Sequence, residues 1–306
     1  MHVEHRVTVP AAAESVYELL ADVTLWPATF GPTIDAERLS LHDGKERIRL
    51  CALANGTVKT WVSRRTLDPG ALRIGFLQEL SAPPVAEMGG EWVLTPAGDR
   101  TEVSLTHDFR ALGDDEEALA WIAKAVDTNS HAELAALAAA VAAPAGAFLD
   151  FTDEVRTSTP LQEMYDFLYR AAEWPTRLSH VDSMDLVEDP QGVQRMRMNT
   201  RTKDGGVHTT SSVRICTAPS RIAYKQTETP ALMAAHAGRW LLRQDGDEVV
   251  AVSRHQVRIN PDAVGTVLGP DAGLAQAGEL IRSALGANSL ATLNAASAHV
   301  TGAGRG

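Results

Sequence analysis

Two stretches decide how this chain is organised: YELLADVTLWP, Tyr17–Pro27, and YDFLYRAAEWP, Tyr165–Pro175. A shift of 148 residues lays Tyr17 on Tyr165, Leu20 on Leu168 and Trp26-Pro27 on Trp174-Pro175. The same shift carries Trp92 onto Trp240, Leu94 onto Leu242, Gly98-Asp99 onto Gly246-Asp247, His107 onto His255 and Arg110 onto Arg258. With one residue of slip, Val58, Thr60, Ser63 and Arg65 fall on Val207, Thr209, Ser212 and Arg214, and the slip closes by Arg73-Ile74 over Arg221-Ile222. The chain holds only 6 tryptophans, so two coincident pairs of them make duplication the simplest account. A period this long means two whole domains rather than a solenoid.

Working outward, each copy shows the same order of elements. An alternating strand (His2 to Val9; Ala147 to Thr157) precedes a helix (Ala11 to Ala21; Leu161 to Ala171) with apolar residues at helical spacing. The Trp-Pro step is expected to end that helix, because proline disfavours helix in the residue before it. Hairpin-spaced strands follow at 36–41, 45–53, 57–67, 72–77, 91–95 and 102–109, with turns at Asp43-Gly44, Asn55-Gly56, Pro69-Gly70 and Gly98-Asp99. The second copy repeats them with turns at Asp189-Pro190, Gly205-Gly206 and Asp245-Gly246. A long Ala/Leu-rich helix closes each copy, Asp115 to Val141 and Ala272 to His299, and residues 142–146 form the linker. The expected fold class is therefore α+β: two tandem domains, 1–143 and 144–306, each a curved antiparallel sheet wrapped around its last helix. Such a sheet encloses a cavity on its concave side, a place for a small molecule.

Bulk properties narrow the function. The length of 306 residues suits two domains, and 44% hydrophobic with 22% charged residues suits packed cores. No apolar run reaches membrane-spanning length and the N-terminus lacks a signal-peptide pattern, so a cytoplasmic protein is expected. A net charge of −11 without a basic run argues against nucleic acid. Cys51 and Cys216 stand alone in strand-like runs, which reads as reduced thiols. The 10 histidines form no metal-binding spacing, so no metal and no cofactor are expected.

Residues two apart on a strand share a face, which aligns Trp61, Ser63 and Arg65 in the first copy and His208, Thr210, Ser212 and Arg214 in the second. Facing inward, each arginine offers fixed N–H donors to an oxygen anion such as an enolate; facing outward, it makes a surface salt bridge. His107 and His255 supply imidazoles near the end of each sheet, suited to proton transfer or to an ordinary sheet hydrogen bond. Trp26, Trp92, Trp174 and Trp240 either stack on a planar ligand or fill the core. The acidic run at 114–117 starts a helix, where carboxylates favour the dipole, and needs no site to explain it.

The string Leu25-Trp-Pro-Ala-Thr-Phe30, then Thr60-Trp-Val-Ser-Arg-Arg65 and Gly90-Glu-Trp92, resembles the aromatase/cyclases of bacterial type II polyketide synthases, helix-grip proteins of the START and birch-pollen-allergen superfamily. Glu173-Trp-Pro175, Ser212-Val-Arg214 and Arg239-Trp240 carry a weaker version, so the whole chain is similar to the di-domain members. The resemblance implies a linear poly-β-ketone, C9-reduced in some systems, presented by an acyl carrier protein and other synthase subunits. It implies C7–C12 aldol closure followed by dehydration to an aromatic ring. Arg65, Ser63 and His107, with Arg214, Ser212 and His255 in the second copy, would be the catalytic groups. Trp26, Phe30, Trp61, Trp92, Trp174, His208 and Trp240 would bind substrate. Some single-domain relatives place a tyrosine seven residues after the tryptophan of Trp-Pro, where this chain has Thr33 and Val181. That leaves the acid/base group open, with His107, Ser63 or an ordered water as candidates. The contrasting expectation is a non-catalytic small-molecule or lipid carrier of the same fold, which a purely apolar cavity would favour. A homodimer is left open.

Overall fold

Alternation along the first strand shows how the sheet acquires two faces. In β1 (His2–Val9), His2, Glu4, Arg6 and Thr8 are exposed while Val3, His5 and Val7 turn inward and Val9 is fully buried. The same period-two logic runs through the strands that follow. These are β2 (Thr33–His42), β3 (Lys45–Ala54), β4 (Thr57–Asp68), β5 (Arg73–Leu80), β6 (Val85–Ala97) and β7 (Arg100–Ala111). They pair antiparallel in the order β1-β7-β6-β5-β4-β3-β2. This computed structural model describes residues 1–54, 56–189, 192–201 and 205–303, so Asn55 and Pro190, on which two expected turns fall, lie outside the described residues.

The chain divides into two compact units, Met1–Pro144 and Ala145–Gly306. The second unit repeats the first: β8 (Phe148–Thr157), β9 (Val181–Asp189), β10 (Val193–Arg201), β11 (Val207–Thr217), β12 (Arg221–Glu228), β13 (Met233–Asp245) and β14 (Glu248–Ile259) pair in the order β8-β14-β13-β12-β11-β10-β9. The expected pair of antiparallel sheets, each with a long closing helix, is what the structure has. Those helices are α3 (Glu116–Ala142) and α7 (Leu274–Ala303). Asp115 caps α3 by accepting from the Ala118 N–H at 2.9 Å, which is the role its acidic start suggested. Among the described residues no helix is long and apolar enough to cross a bilayer.

Two local readings differ from expectation. The first helices, α1 (Ala13–Ala21) and α4 (Leu161–Tyr169), end before the Trp-Pro step. Trp26 and Trp174 instead open one-turn helices, α2 (Trp26–Thr29) and α5 (Trp174–Arg177). Proline is tolerated there because a first-turn residue needs no intrahelical N–H partner. The second unit also inserts α6 (Pro261–Leu268), which strand and turn signals did not reveal. The insertion changes the period. The closing helices superpose at a shift of 159, laying Ile122 on Ile281, Ser130 on Ser289 and Leu134 on Leu293, where the sheets superpose at 148.

Core packing leaves a hollow. In the first unit Val16, Leu20, Trp92, Leu134 and Leu137 pack at one end, and Met88, Phe109, Ile122 and Val126 pack at the other. Gly90 shapes the wall between them. A Cβ there would sit 1.9 Å from the Thr106 carbonyl oxygen and 2.7 Å from Phe76 Cζ, so only glycine lets the ring cross the strand. Gly238 does the same for Tyr224, whose hydroxyl oxygen lies 2.3 Å from the Cβ position. Gly90→Ala should therefore cost about 1–3 kcal/mol by overpacking. A melting temperature equal to that of the wild type would show that the strand yields freely.

Candidate functional site

Each unit encloses a cavity under its closing helix. In the first it measures about 170 Å³ and in the second about 110 Å³. Trp26, Trp61, Ser63, Arg65, Trp92 and His107 all line the first. Trp174, His208, Ser212, Arg214, Trp240 and His255 all line the second. Phe30 is the one expected contact that lies elsewhere. It is 1% exposed and outside the lining. Its ring meets Trp26 edge-on at 5.4 Å and stacks near Trp92 at 6.3 Å, so it braces the aromatic wall from behind.

Arg65 points inward, and two of its five N–H donors are already used. Nη1 donates to the Leu20 carbonyl at 3.1 Å and Nη2 to the Ala21 carbonyl at 3.0 Å, both at the C-terminal end of α1. Those carbonyls have no intrahelical partner and carry the negative end of the helix dipole, a natural seat for a cation. Nε lies 3.1 Å from Glu46 Oε2, close as an ion pair although out of line for a hydrogen bond. Glu46 is 1% exposed and also pairs with Arg38. The guanidinium carbon stands 5.1 Å from the Trp26 ring. Burial draws the Arg65 pKa down to about 10, opposed by Glu46, so it remains a cation at neutral pH. One N–H remains on each terminal nitrogen for a ligand.

In the second unit the frame is the same and the charge partner is missing. Arg214 donates from Nη2 to the Leu168 carbonyl at the end of α4 and lies 5.3 Å from the Trp174 ring. Opposite it on β10 stands Gln194 where Glu46 stands opposite Arg65 on β3. Arg38 is replaced by Leu186. Nε and Nη1 of Arg214 have no hydrogen-bond partner, and the residue is 1% exposed.

The imidazoles are neutral at physiological pH. Burial lowers His107 to about 4, and its Nδ1 has no partner. Burial, then the charge of Arg282, lowers His255 to about 3. Around His255 a network forms: Nδ1 meets His236 Nε2 at 3.0 Å and Tyr224 Oη at 3.1 Å, while Nε2 meets Ser289 Oγ at 2.7 Å and Ser253 Oγ at 3.0 Å. Met88 and Phe76 stand at the equivalent positions in the first unit, so His107 has apolar company.

Sequence reasoning missed Glu133. It projects from α3 into the first cavity and has no hydrogen-bond or ion-pair partner among the described residues. Burial raises its pKa to about 7. A carboxyl titrating there can both give and take a proton at neutral pH. The helix was read as structural throughout. The detectable signal was its place, half-buried, in line with the buried residues Ile122, Val126, Ser130 and Leu137 on one helix face. Thr292 holds this position in α7. The upward shift has a stability consequence. Between pH 4.5 and about 7 the folded protein keeps a proton that the unfolded chain has released, so stability falls as pH rises through that window. Glu133→Gln should melt like the wild type near pH 4.5 and at a higher temperature above pH 7. Identical melting at both values would mean that the carboxyl is fully hydrated.

Outside the cavities, His5, Asp127 and His131 bring ligand-capable atoms within 4.8 Å of one another, with Asp127 and His131 exposed. Spacing could not reveal the group, since His5 comes from β1 and the other two from α3. Among the described residues neither cysteine forms a disulfide, and burial pushes the Cys216 thiol up to about 11.

Comparisons with known proteins agree with this architecture. The family described as polyketide cyclase / dehydrase and lipid transport matches residues 1–142. The chain is 43% identical to a granaticin polyketide synthase bifunctional cyclase/dehydratase of Streptomyces violaceoruber, over 95% of this chain and 91% of the relative. It is 44% identical to the actinorhodin counterpart of Streptomyces coelicolor, over 97% and 96%. Among solved structures it is similar to the di-domain ARO/CYC BexL from the BE-7585A biosynthetic pathway, at 48% identity and a TM-score of 0.86, covering 98% of each chain. The di-domain ARO/CYC StfQ from the steffimycin pathway matches at 30% identity and a TM-score of 0.84, covering 99% of each.

Proposed function

Because this chain belongs to the di-domain cyclase/dehydratases of polyketide biosynthesis, we propose that its first cavity performs the C7–C12 aldol closure and the dehydration of a poly-β-ketone held on an acyl carrier protein. The activity class, a polyketide cyclase/aromatase, comes with the family. The ring position, the carrier-borne substrate and the roles of single residues are our reading. One observation carries it: a buried arginine with N–H groups to spare and a partnerless carboxyl titrating near 7 line the same hollow.

The chemistry suits these groups. A methylene between two carbonyls is already acidic, so a carboxylate of ordinary strength can remove its proton. In the proposed sequence Glu133 takes that proton, and the enolate oxygen rests against the free N–H groups of Arg65. The enolate carbon bonds to the electrophilic carbonyl, whose oxygen becomes a hydroxyl on receiving a proton. Removal of a neighbouring C–H proton then expels that hydroxyl, protonated, as water. His107, neutral and flanked by Phe76, serves as a hydrogen-bond partner rather than as an imidazolium acid. Trp26, Trp61 and Trp92 confine the chain to one folded conformer, and orientation alone can contribute several kcal/mol.

The contrasting reading, a passive carrier, needs only an apolar wall. Ser63, Arg65, His107 and Glu133 give the first cavity more polar chemistry than binding by shape requires. A minimal synthase reconstituted with and without this protein tests the proposal by the rings formed. A C7–C12 aromatic product that depends on the protein supports it, and an unchanged product mixture overturns it.

A further inference from the structure

The two cavities differ most in the charge beside the arginine. In the first, Glu46 neutralises Arg65 and Arg38 helps to hold Glu46. In the second, Gln194 and Leu186 occupy those places, and Arg214 keeps its helix carbonyl and its tryptophan but has no carboxylate in contact. Gln194 turns its amide nitrogen away, toward the Tyr169 carbonyl at 3.2 Å and Glu188 Oε2 at 3.3 Å. Glu188 is exposed and therefore acts on Arg214 only across that amide. The amide oxygen of Gln194, Oε1, has no partner.

An isolated buried cation is costly unless something compensates it. Here the free donors line a cavity that also exposes Ser212, Thr200 and Gln226, each with a buried, unpartnered polar atom. We propose that the second cavity is an anion site, selective for a small ionised enol or phenol, and that a bound oxyanion takes the place that Glu46 fills in the first unit. Nε and Nη1 of Arg214 receive the oxyanion, and Ser212 and Gln226 offer further polar contacts. The Tyr224–His255–His236 network sits on the wall as a neutral set of donors and acceptors, so it adds no competing charge. The natural ligand follows if both hollows accept ketides: ring closure in the first turns β-dicarbonyl units into cyclic enols and phenols, and the ionised forms of these suit the second. That identification rests on the function proposed above; the anion selectivity rests on Gln194 and Arg214 alone.

The test needs no synthase. Cyclohexane-1,3-dione is an enolate at neutral pH, and its O-methyl enol ether has nearly the same shape without charge. Calorimetric titration of the full chain should show the enolate binding more than about tenfold tighter than the ether, since a charged acceptor strengthens each hydrogen bond. Gln194→Glu, which installs the carboxylate of the first unit, should abolish that preference while leaving the melting temperature equal or higher. Arg214→Gln should abolish it too, and Gln194→Glu keeps the question open to test if that variant does not fold. Equal affinity for the two compounds, no binding of either, or a preference for the enolate that Gln194→Glu leaves unchanged would each overturn the proposal. Loss of ring formation in the reconstituted synthase would bear on the first cavity and leave this binding result standing.

Discussion

Arg65→Ala should end ring closure in a reconstituted synthase and should also weaken the fold. Both effects come from the same contacts. Among the described residues the guanidinium is the one buried cation that lines the first cavity, and without it an enolate oxygen has no charged donor there. Loss of one oxyanion donor set is worth about 10²–10³ in rate. The same deletion strands Glu46, 1% exposed, with Arg38 as its remaining partner. Breaking a buried pair from one side costs about 3–5 kcal/mol. Stability and catalysis must therefore be separated. Glu46→Gln reproduces the arrangement that the second unit tolerates and retains the cation. Activity retained by Glu46→Gln at a temperature where it is as folded as Arg65→Ala, with none in Arg65→Ala, would assign the loss to chemistry. Wild-type products from Arg65→Ala would remove Arg65 from the mechanism.

Glu133→Gln should lower the rate of ring formation by about 10²–10⁴, the usual contribution of a general acid or base. The amide keeps the shape and the stripe position and loses only the exchangeable proton. The pH profile separates this role from simple packing. With Glu133 present, the rate should change with an apparent pKa near 7, and that inflection should vanish in the variant. A merely structural role would leave the inflection in place. Because the same substitution is expected to raise the melting temperature above pH 7, lower activity could not be blamed on unfolding.

Much of this was legible before any coordinates. The Trp-Pro pairs, the matched tryptophans and the alternation from His2 to Val9 are local signals, and they defined the duplicated α+β fold. Strand alternation also placed Ser63 and Arg65 on one face, and both are buried beside the cavity. What escaped depends on distance in space rather than spacing in sequence. Glu46 and Arg65 are opposite one another across a strand pair, so no window around Arg65 would reveal its ion pair. Phe30 sits four residues after Trp26, close enough to suggest a shared role, yet the turn of α2 sends it to the far side of the wall. Glu133 was hidden by composition: alanine-rich surroundings look uniform until the closing helices are aligned at their own period.

That separate period has a practical consequence. The closing helix of each half brings its own chemistry, a carboxylic acid in α3 and the Thr292 hydroxyl in α7, to a vessel whose strands repeat in the same order. The stripes keep their register in spite of α6, with Ile122 and Ser130 repeated as Ile281 and Ser289, so lid and vessel are separable parts. Grafting the inward residues of one helix onto the other would mix the two repertoires and leave the strands undisturbed, a route to new ring patterns by exchanging ceilings rather than rebuilding rooms.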